Sequence, residues 1–277
     1  MGTLYVIGIG LQPGHLSIES MNLIKSSDEA FAEFYTSKSI PNLINELERL
    51  TGVRPTILGR RDIEDEGGRI LMKALDEGKS VVFLTIGDPL MATTHGAVAV
   101  EAARRGHTVK IINSVSIVCA AFSQVGLSPY KMGPIATITY ERLGYRSKRH
   151  VDVLLDNLSR GLHTLLLLDI GDDGSFMDAR HAAGLASNDM AERGFNPGEL
   201  LVIYLARIGW SNQTIMVSAM NEPPNGLGEP PHALLVPGEL NAVEEEFLLN
   251  VVRTDPSLLK KHKEFIRKLL RKAEVPG

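Results

Sequence analysis

Residues 85–96 read TIGDPLMATTHG and follow directly on the apolar run SVVFL. A turn there needs only Gly87-Asp88-Pro89, so the acid, the two threonines and the histidine form a surplus of polar groups. A carboxylate accepts hydrogen bonds, hydroxyls and imidazole do either, and Met91 adds a polarisable apolar contact. A second such stretch, Asn113-Ser114-Val115-Ser116-Ile117, follows the run VKII. Hydroxyls and backbone groups beside Ile and Met suit a ligand with one apolar, polarisable part and a few hydrogen-bonding edges; adenosine bearing a thioether or sulfonium is such a ligand. At the chain start, GIGLQPGH sets Gly8, Gly10 and Gly14 in a strand-to-helix turn. The third glycine comes one residue late for a dinucleotide fingerprint, Pro13 interrupts the turn, and Glu33 lies inside AFAEFY instead of closing a strand. A nicotinamide-dependent dehydrogenase therefore stands only as an alternative.

These loops need a scaffold. Through residue 125 short apolar runs alternate with helical patterns: LYVIGI, a helix near 17–26, AFAEFY, a helix near 41–51, PTILG, a helix near 64–77, SVVFLTI, a helix near 94–105, and VKII. That alternation predicts a mostly parallel sheet with helices on both faces, and ligands bind such sheets beyond the carboxyl ends of the strands. Thr93 or Thr94 is the expected cap of the fourth helix, Ala97, Val98 and Ala102 its inner face, and Gly106 its stop. From about 130 strands follow one another more often: ATITY, TLLLLDI, LLVIYLA, TIMVSA and HALLVPG, with helices near 150–160 and 178–192. The expectation is an N-terminal α/β domain over 1–130 and a C-terminal α+β domain over 131–277, joined through GLSPYKMGP. From Ser257 a basic tail places Leu258, Phe265 and Leu269 on one helical stripe among seven Lys or Arg, which reads as a helix packed on its own domain.

Composition narrows the function. With 277 residues, 44% of them apolar, the chain can bury a sizeable core, and its net charge of -4 offers no general attraction to nucleic acid. The single cysteine, Cys119, excludes an internal disulfide and, between Val118 and Ala120-Ala121, is expected in the core. None of the eight histidines has metal-ligand spacing, so no metal is expected. LYVIGIG begins within three residues of the start and leaves no room for a secretory signal, Val6 spoils a myristoylation motif, and the longest apolar runs are of strand length. A cytoplasmic location is expected.

The pieces IGIGL (7–11), AEFYTS (32–37), GDPLMATTH (87–95), SVSI (114–117), GLHTLLLLDI (161–170), LARIG (205–209) and PPHALLVPGELNAVEEEFL (230–248) stand in order over about 240 residues. Together they resemble the diphthine synthases, the methyltransferases of diphthamide biosynthesis and a branch of the tetrapyrrole methylase family. The resemblance implies two α/β domains that clamp S-adenosyl-L-methionine in the cleft between them through Leu11, Asp88, Met91, Ser116, Ile117, Leu168, Ala206 and His232. It implies, as acceptor, the amino group of the 3-amino-3-carboxypropyl histidine of translation elongation factor 2, with diphthine as product. It also implies a homodimer, to which Phe34-Tyr35 are candidates to contribute. Plainer roles stand beside these: an Asx turn for Asp88, strand entry for His232, loop support for His95 and a structural place for His163. QPGH (12–15) is similar to the PGD turn of corrin and sirohaem methylases with His15 in place of the acid, which keeps a tetrapyrrole substrate open. A module that binds the cofactor without turnover is the remaining alternative. Beyond Leu249 the resemblance ends.

Overall fold

The computed structural model describes the backbone of residues 1–273 and side chains as far as Arg271; the end of the expected basic tail lies outside the described residues. The chain forms two compact units, Met1–Ile117 and Val118–Gly277.

The first unit runs β1 (Thr3–Gly8), α1 (Ile18–Ser26), β2 (Glu29–Glu33), α2 (Leu43–Thr51), β3 (Thr56–Leu58), α3 (Arg69–Asp76), β4 (Ser80–Thr85), α4 (Gly96–Arg104) and β5 (Thr108–Ile112). The five strands pair in the order β3-β2-β4-β1-β5, every pair parallel. Parallel neighbours need a crossover, and the helices supply it. Successive residues of a strand point to opposite faces, and both faces are covered. Leu4, Val6, Val81 and Phe83 meet Leu71, Leu75 and Val98 of α3 and α4, whereas Ile7, Val82 and Leu84 meet Ile24, Leu43 and Leu47 of α1 and α2. This is why SVVFL is apolar throughout instead of alternating.

In α4 the expected cap is absent. The N-cap position belongs to His95 and receives no side-chain hydrogen bond, because the Thr93 hydroxyl is bonded to the His95 ring. Val98 and Ala102 are buried as expected, but Ala97 faces outward. Gly106 follows the helix at φ +82°, a left-handed stop suited to glycine.

The second unit contains α5 (Ile117–Gln124) after its first residue, β6 (Ala136–Ile138), α6 (Arg149–Ser159), β7 (Thr164–Leu168), α7 (Ala179–Glu192), β8 (Leu201–Ala206), β9 (Thr214–Ala219), β10 (His232–Val236), α8 (Ala242–Asn250) and α9 (Pro256–Ala273). Its sheet has the order β6-β7-β10-β8-β9, with β6 and β7 parallel and the other pairs antiparallel. One face packs Val202, Tyr204, Leu234 and Leu166 against Leu154 of α6, the alanines of α7 and Phe265 of α9. Asp178 caps α7 through the Arg180 and His181 amides. Helix α9 packs on α6 and β8, burying Leu259, His262, Phe265, Ile266 and Leu269. Leu258, expected on that stripe, is only half-buried because Leu259 takes its place.

Cys119 is exposed, contrary to expectation: Val118, Ala121 and Phe122 form the buried side of α5, and one helical step turns the thiol outward. Among the described residues no helix is long and apolar enough to cross a membrane.

Candidate functional site

The strand order of the first unit makes β4, β1 and β5 neighbours, so their carboxyl ends share one edge of the sheet. Beyond β1 and β4 the backbone is stitched by a reciprocal pair, Gly10 N–H to the Gly87 carbonyl at 3.1 Å and Gly87 N–H to the Gly10 carbonyl at 2.9 Å. Both glycines take left-handed φ values, +72° and +79°. Gly8 lies beneath this closure, with Gly87 O, Pro89 and Ser114 crowding the space a side chain would need.

Asp88 joins the loops after β4 and β5. One carboxylate oxygen accepts from Asn113 Nδ2 at 2.9 Å and Ser114 N–H at 3.3 Å, and the other accepts from Leu90 N–H at 3.3 Å. The last of these is the Asx turn foreseen for this residue; the bonds to Asn113 and Ser114 go beyond it. Leu11 is buried at the turn after β1, donates its N–H to His15 Nδ1 at 3.2 Å and accepts from the Ser39 hydroxyl at 3.1 Å. His15 thus closes the QPGH turn on itself, and burial pushes its pKa down. Met91 is 46% exposed on the loop after Asp88; Ser116 is buried and Ile117 half-buried at the start of α5.

Under that loop lies a second polar group. Glu33, at the end of β2, and His95 are buried, with Glu33 Oε1 3.4 Å from His95 Nε2. At that separation the two groups make no well-formed hydrogen bond, and Nε2 counts among the buried nitrogens without a hydrogen-bond partner. His95 Nδ1 shares a 2.8 Å hydrogen bond with the Thr93 hydroxyl. Burial lowers the pKa of His95 against the opposing pull of Glu33, so the ring is neutral. A carboxylate cannot donate; the proton therefore sits on Nε2, facing Glu33, and Nδ1 accepts from Thr93.

In the second unit Leu168, Ala206 and His232 gather at one end of the sheet. His232 pairs with Ala206 across β10 and β8, and Ala233 pairs with Leu167 across β10 and β7. His232 Nδ1 accepts the Ala179 N–H at 3.1 Å, which puts its proton on Nε2, a buried nitrogen with no partner. Burial, then the nearby Arg207 charge, keeps this imidazole neutral by lowering its pKa. Beside it opens a cavity of about 350 Å³ lined by Phe176, Asp178, Arg180 and the segment from Gly226 to Pro230. Arg207, in left-handed conformation at φ +51°, spends its buried guanidinium on the carbonyls of Asn212 and Glu229 and on the Thr214 hydroxyl. His163 is structural: its Nδ1 accepts from Gly238 N–H at 2.8 Å and its Nε2 donates to Glu244 at 3.0 Å.

The eight residues singled out from the sequence therefore form two groups, five at strand ends of the first unit and three at one sheet end of the second. Sequence reasoning passed over Asn113 as a partner of Asp88, Ser39 under Leu11, and the pairing of Glu33 with His95. None of these pairings has a local motif, because each joins loops that only the strand order brings together.

Comparison with known proteins agrees with the fold. The family described as Tetrapyrrole (Corrin/Porphyrin) Methylases matches residues 3–224. A protein of Pyrobaculum calidifontis named diphthine synthase is 41% identical over 247 residues, 88% of this chain and 97% of the relative. One of Methanocaldococcus jannaschii with the same name is 32% identical over 252 residues, covering 88% and 97%. A crystal structure of diphthine synthase superposes with a TM-score of 0.83 at 30% identity, covering 94% of this chain and 99% of that one. The chain belongs to the tetrapyrrole methylase family and groups there with the diphthine synthases.

Proposed function

We propose that the chain is an S-adenosyl-L-methionine-dependent methyltransferase that methylates the amino group of the 3-amino-3-carboxypropyl histidine of translation elongation factor 2, giving diphthine. The observation that carries this reading is the close likeness, over 88% of the chain, to proteins named diphthine synthase.

The residues present fit the cofactor on their chemistry. Gly87 is buried, yet apart from its chain neighbours no atom lies within 4 Å of where its Cβ would stand, so the loop leaves open space one residue before Asp88. In the second unit the buried Nε2–H of His232 makes no well-formed hydrogen bond although the Gly228 and Glu229 backbone lies near, and a nucleoside carries several acceptors. We assign Leu11, Asp88, Met91, Ser116 and Ile117 in the first unit and Leu168, Ala206 and His232 in the second as residues that hold the cofactor. Asp88 offers acceptor oxygens to hydroxyl or ammonium donors, Met91 and Ile117 offer polarisable and apolar contact, and His232 offers a donor.

When bound, S-adenosyl-L-methionine supplies a sulfonium methyl open to in-line attack by an unprotonated amine. The work left to the protein is to orient the acceptor and to keep water and protons from its nitrogen. Orientation alone supplies roughly 7 to 11 kcal/mol in well-aligned systems. Elongation factor 2 is the protein partner in this reading, the cytoplasm its place and a homodimer its active form. Phe34 and Tyr35, the candidates for that interface, are each partly packed on the core of their own unit.

Mass spectrometry of elongation factor 2 carrying the amino-carboxypropyl histidine, after incubation with the protein and the cofactor, tests the proposal. Whole-methyl mass increments on that histidine are expected. An unmodified histidine, together with methylation of a precorrin offered in parallel, would transfer the assignment to a tetrapyrrole substrate.

A further inference from the structure

The loop from Gly87 to Thr94 carries Asp88 and Met91 but has no regular secondary structure, and two of its residues, Gly87 and Ala92, hold left-handed φ values of +79° and +57°. Such a segment keeps a single shape only if its surroundings impose one. At its far end the imposing contact is the Thr93 hydroxyl on His95 Nδ1 at 2.8 Å.

The other ring nitrogen faces Glu33, whose carboxylate is itself immobilised. One oxygen accepts from the Tyr35 N–H at 3.2 Å and the Thr36 N–H at 3.1 Å, and the other accepts from the Thr36 hydroxyl at 2.6 Å. The imidazole is held edge-on by Phe83, with centroids 5.4 Å apart at 84°, and by Tyr35 at 6.5 Å and 85°. Glu33 is 0% and His95 1% exposed. An apolar pair of the same volume would stabilise this core at least as well as a buried carboxylate and imidazole, so stability alone does not account for them. What the polar chain adds is direction: it fixes Thr93 relative to the end of β2 through atoms that have few alternative partners.

We propose that Glu33, His95 and Thr93 are positioning residues that hold the 87–94 loop in its binding shape and thereby set the affinity for S-adenosyl-L-methionine. The inference rests on the reading that Asp88 and Met91 touch that cofactor. None of the three positioning residues is required to touch it.

The test is calorimetric binding of S-adenosyl-L-methionine to Thr93→Val, Thr93→Ser, Glu33→Gln and Asp88→Ala, with thermal unfolding recorded for each and turnover measured at saturating cofactor. Thr93→Val and Glu33→Gln are expected to weaken binding about tenfold while turnover at saturation stays within about twofold of the parent. Thr93→Ser keeps the hydroxyl and should bind like the parent. A merely structural role would lower the unfolding midpoint and leave affinity untouched. Parental affinity in folded Thr93→Val and Glu33→Gln, with Asp88→Ala impaired, overturns the positioning chain alone. Equal loss in Thr93→Ser and Thr93→Val overturns it as well. Parental affinity in Asp88→Ala removes the reading of the loop, and the proposal falls with it. Should Glu33→Gln not fold, the two Thr93 variants decide.

Discussion

A methyl group added at Gly8 would collide with the Gly87 carbonyl oxygen and lie 2.9 Å from Pro89 Cδ and 3.0 Å from Ser114 Cβ. Two of these neighbours are backbone or ring atoms that cannot swing aside, so Gly8→Ala has to part the loops that follow β4 and β5. Overpacking of this kind costs about 1 to 3 kcal/mol. Urea unfolding should show that loss, and calorimetry should show weaker cofactor binding in the same protein, since the parted loops are those of Asp88 and Ser114. Asp88→Ala acts differently. Its donors, Asn113, Ser114 and Leu90, lie at a half-exposed position where water can replace the carboxylate, so stability should fall by no more than about 1 kcal/mol. Affinity for S-adenosyl-L-methionine should drop about tenfold or more. A folded Asp88→Ala protein with parental affinity would refute its assignment.

At the scale of elements, α8 is held by a single carboxylate. Glu244 completes a capping box with Asn241, and beyond that helix it accepts from Ser128 N–H, Lys131 Nζ and His163 Nε2. Burial pushes the pKa of this carboxyl up, but the Lys131, Asn241, Ser128 and His163 hydrogen bonds outweigh it and hold the value below the usual carboxylate range. Asn241→Ala removes one cap bond and should cost about 1 kcal/mol. Glu244→Ala leaves several buried donors and a half-buried lysine without their acceptor and should cost about 3 to 5 kcal/mol, measured by chemical denaturation. The helix announces itself in the sequence as N-A-V-E, yet AVEEEFLLN has too little apolar periodicity for a pattern search to find it. The central strands β1 and β4 were legible because they are buried on both faces and so form unbroken apolar runs ended by a turn, although the edge strands β3 and β5 are partly exposed. The Thr93 hydroxyl was misread for a reason of geometry: it has two eligible partners, a helical N–H and the His95 ring, and only the folded loop decides between them. Asp88, Leu11 and Ser116 were legible as strand-end residues, whereas Asn113 and Glu33 acquire their roles from strands that become neighbours late in the chain.

Across the whole molecule, burial lowers the pKa of six histidines, His15, His95, His150, His163, His232 and His262, below 6.5, and that of His262 to about 4. The unfolded chain therefore takes up protons that the folded chain refuses once the pH falls below about 6.5. Each lowered value contributes stability that is present at neutral pH, lost progressively below about 6.5 and gone below the folded pKa; for His262 the contribution is on the order of 3 kcal/mol. The unfolding temperature should decline steadily from pH 7 to pH 4, and scanning calorimetry showing a flat profile over that window would contradict this account. The first sheet also carries a timetable. β1 is made first, yet its two partners are β4 and β5, with Thr3 opposite Ser80 and Thr108. A nascent chain thus displays the apolar segment LYVIGIG with no strand to receive it until β4 is complete at residue 85, and with its other edge open until β5 ends at residue 112. Until then the edges of that segment are open to pairing with other chains.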